Sequence, residues 1–364
     1  MTIPIFRPWY DQREIQAVTE VLESGWIGLG PKTEEFENRF AEYIGTPYAV
    51  GMNSATAALH LALKVLEVEG KEVITTPMTF VSTGHAILYN NAIPIFADIE
   101  PDTLNIDYRC IEQKITNKTG AIVVVHYGGH ACDMDPILDF GIPVVEDVAH
   151  GCGGSYKGKK LGSLGIMGCF SFHAVKNLAT GDGGMVTVKD RSMDARLRRL
   201  RWCGIDKSTW ERCVTKQRWH YDVQELGYKY HMNDIAAAIG LVQLEKLDQG
   251  NARRREIATY YNECFADLLE TPVEKEYARS AWHNYVVKLE RRDELIAFLI
   301  EMDISAGVHY VPIHLYSMYP NVYLPVVQRV WRKLVTLPLY PGMTDSDIER
   351  VVDAVRSFCE VSSD

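Results

Sequence analysis

Between residues 48 and 188 the chain alternates short apolar runs with amphipathic stretches, and this alternation restricts the fold more than any other feature. Strands are predicted at 48–51, 73–76, 93–98, 121–126, 142–146, 168–173 and 184–188. Helices are predicted at about 54–67, 81–90, 108–115 and 133–139. A run such as Ala121-Ile122-Val123-Val124-Val125 has no polar face, so both of its sides must be covered. Strands of this kind separated by helices require a mostly parallel central sheet with helices on both faces, an α/β architecture. The first strand is not followed by G-x-G-x-x-G, which argues against a nicotinamide-binding site.

Two helices precede this region. One spans 12–24, with Ile15, Val18, Val21 and Leu22 expected inward. The other spans 32–44, with Phe36, Phe40 and Tyr43 inward. The segment between them, Ser24-Gly25-Trp26-Ile27-Gly28-Leu29-Gly30-Pro31, reads as a helix connector or as a loop that closes over a ligand. After residue 190 the pattern changes. A basic helix (Ala195 to Trp202) leads into a polar, irregular region to about 226. Helices follow at 233–248 and 250–269, then strands at 282–289, 305–311 and 334–336, and a closing helix at 345–358. This predicts a large domain over 1–249 and a smaller C-terminal α+β domain over 250–364.

The residues that carry chemistry sit at strand ends. One apolar run ends in Ser171, and Lys176 follows five residues later, ahead of Thr180-Gly181-Asp182-Gly183-Gly184. Another run, Val144-Val145-Glu146, ends in Asp147. A lone lysine is usually a solvated surface charge. Here it follows a buried strand and precedes Gly-rich sequence, where a charged ammonium is costly and a depressed pKa or a covalent partner is expected. Asp147 alone would read as a cap or turn residue. It stands, however, where open α/β sheets place ligands. Together the two are the parts that hold pyridoxal 5'-phosphate. The lysine amine forms a Schiff base with the aldehyde, and the carboxylate pairs with the protonated pyridine nitrogen.

Other residues extend this site. Ser54, after the first strand, is a good N-cap, and the N–H groups that follow it favour a phosphate. Ser171 offers a second phosphate anchor. Phe80 could stack on a pyridine face or pack in the core. His150 could meet the ring's phenolic oxygen or cap a turn. His309 and His314, five residues apart without carboxylate support, make a poor metal pair.

Composition narrows the function classes. The net charge is −10, from 38 Lys and Arg against 48 Asp and Glu. That balance argues against a general nucleic-acid binder. It would also repel a phosphorylated small molecule such as a diphosphate unless local cations compensate, with Lys229, His231, His309 and His314 as candidates. No apolar run reaches the length of a membrane span, and the first residues lack the pattern of a secretory signal. The eight scattered cysteines (Cys110, Cys132, Cys152, Cys169, Cys203, Cys213, Cys264 and Cys359) form no zinc-ligand spacing and read as reduced thiols of a cytoplasmic protein.

The order and spacing of these segments resemble the DegT family of pyridoxal-phosphate-dependent nucleotide-sugar aminotransferases, within the type I aminotransferase fold. The resemblance runs over nearly the whole chain: "SGWIGLGPKTEEFE", "NSATAALHLAL", "TPMTFVSTGHAI", "PIFADIEPDTLNID", "VVEDVAHGCGG", "FSFHAVKNLATGDGG", "LGYKYHMNDIAAAIGLVQL" and "GVHYVPIH". It implies Lys176 as the Schiff-base lysine, Asp147 as the pyridinium partner and Phe80 as the stacking ring. Ser54, Ala55 and Ser171 would surround the phosphate, and His150 stands where the family often has Gln or His. Many members carry Asn and Arg in the segment that here reads Gly227-Tyr228-Lys229-Tyr230-His231-Met232 and that in the family reaches the neighbouring subunit's cofactor or substrate phosphates; Lys229 keeps a cation there, and His231 lies in the same segment. The segment with His309, Tyr310 and His314 would line the sugar–nucleotide pocket.

The resemblance further implies a cytoplasmic homodimer with shared active sites. It would move an amino group from an amino acid, L-glutamate, to a nucleotide-linked keto sugar of the 4-keto-6-deoxy type. Pyridoxamine 5'-phosphate would be the intermediate form of the cofactor and 2-oxoglutarate the first product. Some relatives replace the lysine with His and are sugar dehydratases; this chain keeps Lys176. A non-catalytic regulator that binds the cofactor would carry a DNA-binding extension, and no basic helix-turn-helix is present.

Overall fold

The computed structural model describes residues 2–207, 210 and 219–360. Two helices, α1 (Gln12–Ser24) and α2 (Pro31–Ile44), precede the sheet. From there the chain runs through β1 (Tyr48–Met52), α3 (Ala55–Val65), β2 (Glu72–Thr75), α4 (Val81–Tyr89) and β3 (Ile93–Phe96). It continues through α5 (Tyr108–Glu112), β4 (Thr119–Val125), α6 (Met134–Leu138) and β5 (Val144–Asp147). A hairpin, β6 (Ser155–Tyr156) and β7 (Lys159–Lys160), leads to β8 (Met167–Ser171), β9 (Gly184–Val188) and α7 (Arg191–Leu200).

The seven expected strands form one sheet in the order β1-β9-β8-β5-β4-β2-β3. The pairs β2/β3, β2/β4, β4/β5 and β5/β8 are parallel, and only β9 runs against its neighbours β1 and β8. Both faces are covered, as the apolar runs require. In β4, Ile122 and Val124 join the core built on Phe36, Phe40 and Phe170, while Ala121 and Val123 join the opposite core under α3 and α7. This is the α/β architecture expected from the strand pattern, a mostly parallel sheet between two apolar layers. The parallel arrangement collects the C-terminal ends of β1, β2, β4, β5 and β8 along one edge, where open sheets bind ligands.

The helices predicted at 233–248 and 250–269 are one continuous helix, α8 (Asp234–Phe265), and the proposed division at 250 falls inside it. Gly250 does not end the helix, because Trp9 and Pro341 pack against that position. The first half of α8 lies on α1 and α2, where Gly240 lets the Phe36 ring approach too closely for any side chain. The second half supplies Ile257, Tyr261 and Phe265 to a separate core. That core also takes residues of the two-stranded sheet of Tyr285–Lys288 and Leu334–Leu337, and of the helices Arg292–Glu301 and Asp345–Glu360. The strand predicted at 305–311 is instead a loop, joined to the sheet by a single bridge between Gly307 and Thr336.

The buried face of α1 also differs from the expectation. Val21 is buried, but Ile15 and Leu22 are 59% and 56% exposed. Glu14 takes the inward position instead. It accepts from the Asp11 N–H at 2.7 Å and from Lys246 Nζ and Gln243 Nε2 at 2.9 and 2.7 Å. A buried ion pair carried by α8 sets the helix rotation here, and apolar periodicity does not. Among the described residues Cys110, Cys132, Cys152, Cys169, Cys203 and Cys264 are free thiols. Cys213 and part of the irregular stretch before 226 lie outside them. Among the described residues no helix is long and apolar enough to cross a membrane.

Candidate active site

Lys176 sits in the loop joining β8 to β9. Phe172 and Thr180 close that loop through backbone bonds to Gly183 and to each other, and a turn from the His173 carbonyl to the Lys176 N–H (2.8 Å) presents the lysine at the sheet edge. Desolvation lowers its ammonium pKa to about 8, against the opposing pull of Asp147. Asp147 ends β5, next to β8. One of its oxygens accepts from the Thr83 hydroxyl at 2.8 Å and the other from the Ala149 N–H at 3.1 Å. Thr83 is held in turn by Thr79 at 2.7 Å. Burial pushes the Asp147 acid up, and those two donors and Lys176 only partly offset it. An amine and a carboxyl group thus face the same desolvated space, each with its charged form disfavoured.

The neighbouring Glu146 points to the opposite side of β5, as strand geometry requires. Its carboxylate accepts from the Gly162, Leu164 and Gly165 N–H groups at 2.8, 2.8 and 2.7 Å, and from His126 Nε2 at 3.0 Å. Burial raises its pKa, but these donors outweigh it and the acid stays below its ordinary value. The pair ties the sheet edge to the loop before β8.

Ser54 caps α3, its hydroxyl accepting from the Ala57 N–H at 3.1 Å, and Ala55 opens the helix. The first-turn N–H groups point out of the helix start toward the same edge. Ser171 ends β8 beside Gly184, which also pairs with Met52 of β1, so the two serine-bearing strand ends flank one glycine. A Cβ on Gly184 would stand 2.5 Å from the Ser54 carbonyl carbon, and only glycine permits that approach.

The cluster reaches well beyond these segments. His150 Nδ1 accepts from the Gly128 N–H, so Nε2 donates to the Tyr310 hydroxyl, 2.9 Å away. The two rings stack at 5.8 Å. Phe80 is 56% exposed, with its ring 6.1 Å from Tyr310. His309 bonds the Thr336 hydroxyl at 2.9 Å, and its carbonyl accepts from Tyr127. His314 meets other partners, the Phe96 ring and Gln328.

Residues 229–231 run beside the end of β1. Met52 bridges to His231, and the Asn53 N–H donates to the Tyr230 carbonyl at 2.7 Å. Lys229 is exposed, with Nζ 3.4 Å from the centre of the Trp202 ring. Burial lowers the pKa of His231 and of His309 to about 4, and depresses that of His314. Burial thus disfavours the charged form of three of the four groups expected to balance a diphosphate.

Sequence reading missed Thr83, His283 and Asn177. Thr83 lies one turn into α4 after Phe80. His283 is 107 positions from Lys176, and no local pattern marks it. Pyridoxal phosphate fits the residues present: a desolvated amine for its aldehyde, a buried acid for its ring nitrogen, and hydroxyl and N–H groups at a helix start for its phosphate.

Residues 8–356 match the model of the DegT/DnrJ/EryC1/StrS aminotransferase family. The chain is 43% identical to MJ1066 of Methanocaldococcus jannaschii, an uncharacterized protein, covering 98% of this chain and 97% of that one. It is 42% identical to the spore coat polysaccharide biosynthesis protein SpsC of Bacillus subtilis, with the same coverage. Among solved structures it is similar to the PMP form of Spr1654 from Streptococcus pneumoniae, described as a sugar aminotransferase. That match has 34% identity, 99% coverage of both chains and a TM-score of 0.93. The PLP form of the same protein matches with a TM-score of 0.92.

Proposed function

The chain belongs to the DegT/DnrJ/EryC1/StrS aminotransferase family, and we propose that it transfers the amino group of L-glutamate to a nucleotide-linked 4-keto-6-deoxy sugar. It is a pyridoxal-phosphate-dependent sugar aminotransferase, with pyridoxamine phosphate as the alternate form of its cofactor. The balance is glutamate plus keto sugar giving 2-oxoglutarate plus amino sugar. The observation that carries the reading is the desolvated pair of Lys176 and Asp147 at the C-terminal edge of a parallel sheet. The similarity to SpsC supports a place in polysaccharide synthesis.

When bound, the cofactor supplies an aldehyde that captures amines and a protonated ring that accepts electrons. The residues divide the remaining work. Lys176 would hold the cofactor covalently through its amine, and its neutral Nζ would take the proton from the amino acid's α-carbon. A lysine with a pKa near 8 is partly neutral at physiological pH, whereas an ordinary lysine is almost wholly charged. Asp147 keeps the proton on the ring nitrogen, and Thr83 and the Ala149 N–H keep Asp147 in place. Ser54, Ala55 and Ser171 hold the phosphate. Phe80 offers its exposed face to the ring, and His150 is oriented by Tyr310. Retention of Lys176 disfavours the dehydratase alternative.

The test is amino transfer from glutamate to a panel of UDP-, dTDP- and GDP-linked keto sugars, followed by mass spectrometry. At least one 4-keto-6-deoxy sugar should gain an amino group; none doing so would sink the proposal. His309→Ala should raise KM for the sugar nucleotide more than for glutamate, because the amino donor lacks that portion. His314→Ala should leave both KM values unchanged, in keeping with its contacts to Phe96 and Gln328.

A homodimer with shared sites is part of the same proposal. Exposed Lys229 beside the end of β1 supports it, since that cation is available to a second chain. Mixing inactive Lys176→Ala with an inactive Lys229→Ala/His231→Ala protein should then restore activity, because hybrid dimers contain one intact site. No recovery after verified subunit exchange would show that each chain builds its site alone.

A further inference from the structure

His283 faces the lysine, with its Nε2 3.3 Å from Lys176 Nζ. The position of the imidazole proton follows from the next neighbours. Asn177 Nδ2 lies 2.7 Å from the Ala281 carbonyl and 2.8 Å from Asn251 Oδ1. A backbone carbonyl only accepts, so the Asn177 atom facing it is the nitrogen, and its Oδ1 is the acceptor. That oxygen is 3.2 Å from His283 Nδ1, which therefore carries the proton. Asn251 is fixed the same way, its Nδ2 donating to the Cys152 carbonyl at 3.0 Å. Hydrogen-bond direction is thus set from two backbone carbonyls outward, and the lone pair of His283 Nε2 is left pointing at the lysine. Packing fixes the ring plane: Phe6 stacks on it at 5.2 Å and 7°, and His150 lies 4.6 Å away.

We propose that His283 is a positioning residue for Lys176, whose Nε2 accepts a hydrogen bond from the free amine and holds its lone pair turned away from the imidazole. The proposal rests on Lys176 being the cofactor lysine and adds what sets the orientation of that amine. Burial, reinforced by Lys176, His150, Arg254 and His309, keeps His283 far below its ordinary pKa, so it acts as a neutral acceptor and does not compete for the proton. Around the pair stand Asp147 at the end of β5, His150 just after it, His309 and Tyr310 from the 305–312 loop, and Arg254 from α8.

A neutral acceptor stabilises the ammonium over the amine, so removing it must lower the lysine's pKa further. The test uses the full chain stripped of cofactor. Trinitrobenzenesulfonate modification is followed across the titration range at the Lys176 peptide by mass spectrometry. The native protein should show a midpoint of about 8. His283→Phe keeps a ring for stacking but no acceptor, and its midpoint should fall by about one pH unit. His283→Gln, which returns an acceptor near the Nε2 position, should bring it back. An unchanged or raised midpoint in His283→Phe, or no recovery in His283→Gln, overturns the proposal. If His283→Phe does not fold, Asn177→Leu removes the acceptor that fixes the tautomer; its midpoint should also fall, and an unchanged value is equally fatal. Borohydride labelling of a different lysine would instead remove the functional reading while leaving this titration intact, so the two failures are distinguishable.

Discussion

Lys176→Ala protein is expected to lose turnover by at least about a thousandfold, the upper range for removing a positioned proton-transfer group that is also the covalent anchor. The lysine stands on a closed turn at the sheet edge, with Asp147 and His283 as its polar surroundings. Both half-reactions should fail together, because the same amine moves the proton in each. The cofactor should still bind through Asp147 and the residues around its phosphate, but without a covalent link. Borohydride reduction of the native protein, digestion and mass spectrometry should find the pyridoxyl group on Lys176. Finding it on another lysine, or near-native turnover in the alanine variant, would end the assignment.

For Asp147→Asn a loss of at least about a hundredfold in turnover is expected, the scale of one strong electrostatic contact in a dry site. The change keeps the shape of the side chain. The Thr83 hydroxyl can adapt by exchanging donor and acceptor roles with Thr79, so the site need not collapse. What disappears is the negative charge that keeps the ring nitrogen protonated. The native residue also predicts a pH dependence. Burial raises its pKa above the ordinary value, so lowering the pH neutralises it sooner than an ordinary aspartate. Cofactor retention should therefore weaken as the pH falls through that raised value, and equilibrium dialysis at graded pH measures it. Near-native turnover in the asparagine variant would mean that another group holds the ring.

The sheet was open to prediction because its signal is local. Apolar runs of four to seven residues between helices announce buried parallel strands wherever they occur, and all seven expected strands are present in one sheet. Ser54, Asp147, Ser171 and Lys176 share a property readable without coordinates: each ends or follows such a run. The parallel sheet then brings them to one edge. Where the same local logic failed, a distant partner overrode it. Periodicity placed Ile15 and Leu22 inward, but Lys246, more than 200 positions away, draws Glu14 into the interface.

Composition and strand pattern, read alone, determined a doubly covered α/β sheet and the chemistry of an amine and an acid at its edge. They could not determine what surrounds that amine. His283, Asn177 and Asn251 form one directional chain of hydrogen bonds, yet they come from a loop, a turn and a helix, with Asn177 74 positions from Asn251 and 106 from His283. Thr83 reaches Asp147 from a helix 64 positions earlier. Likewise, the charged form of the histidines counted as cations is disfavoured chiefly because folding removes water from them. Hydrogen-bond direction, desolvation and the tautomer of a buried imidazole depend on which groups meet in space. Sequence order carries no record of those meetings, so they are decided by the tertiary structure.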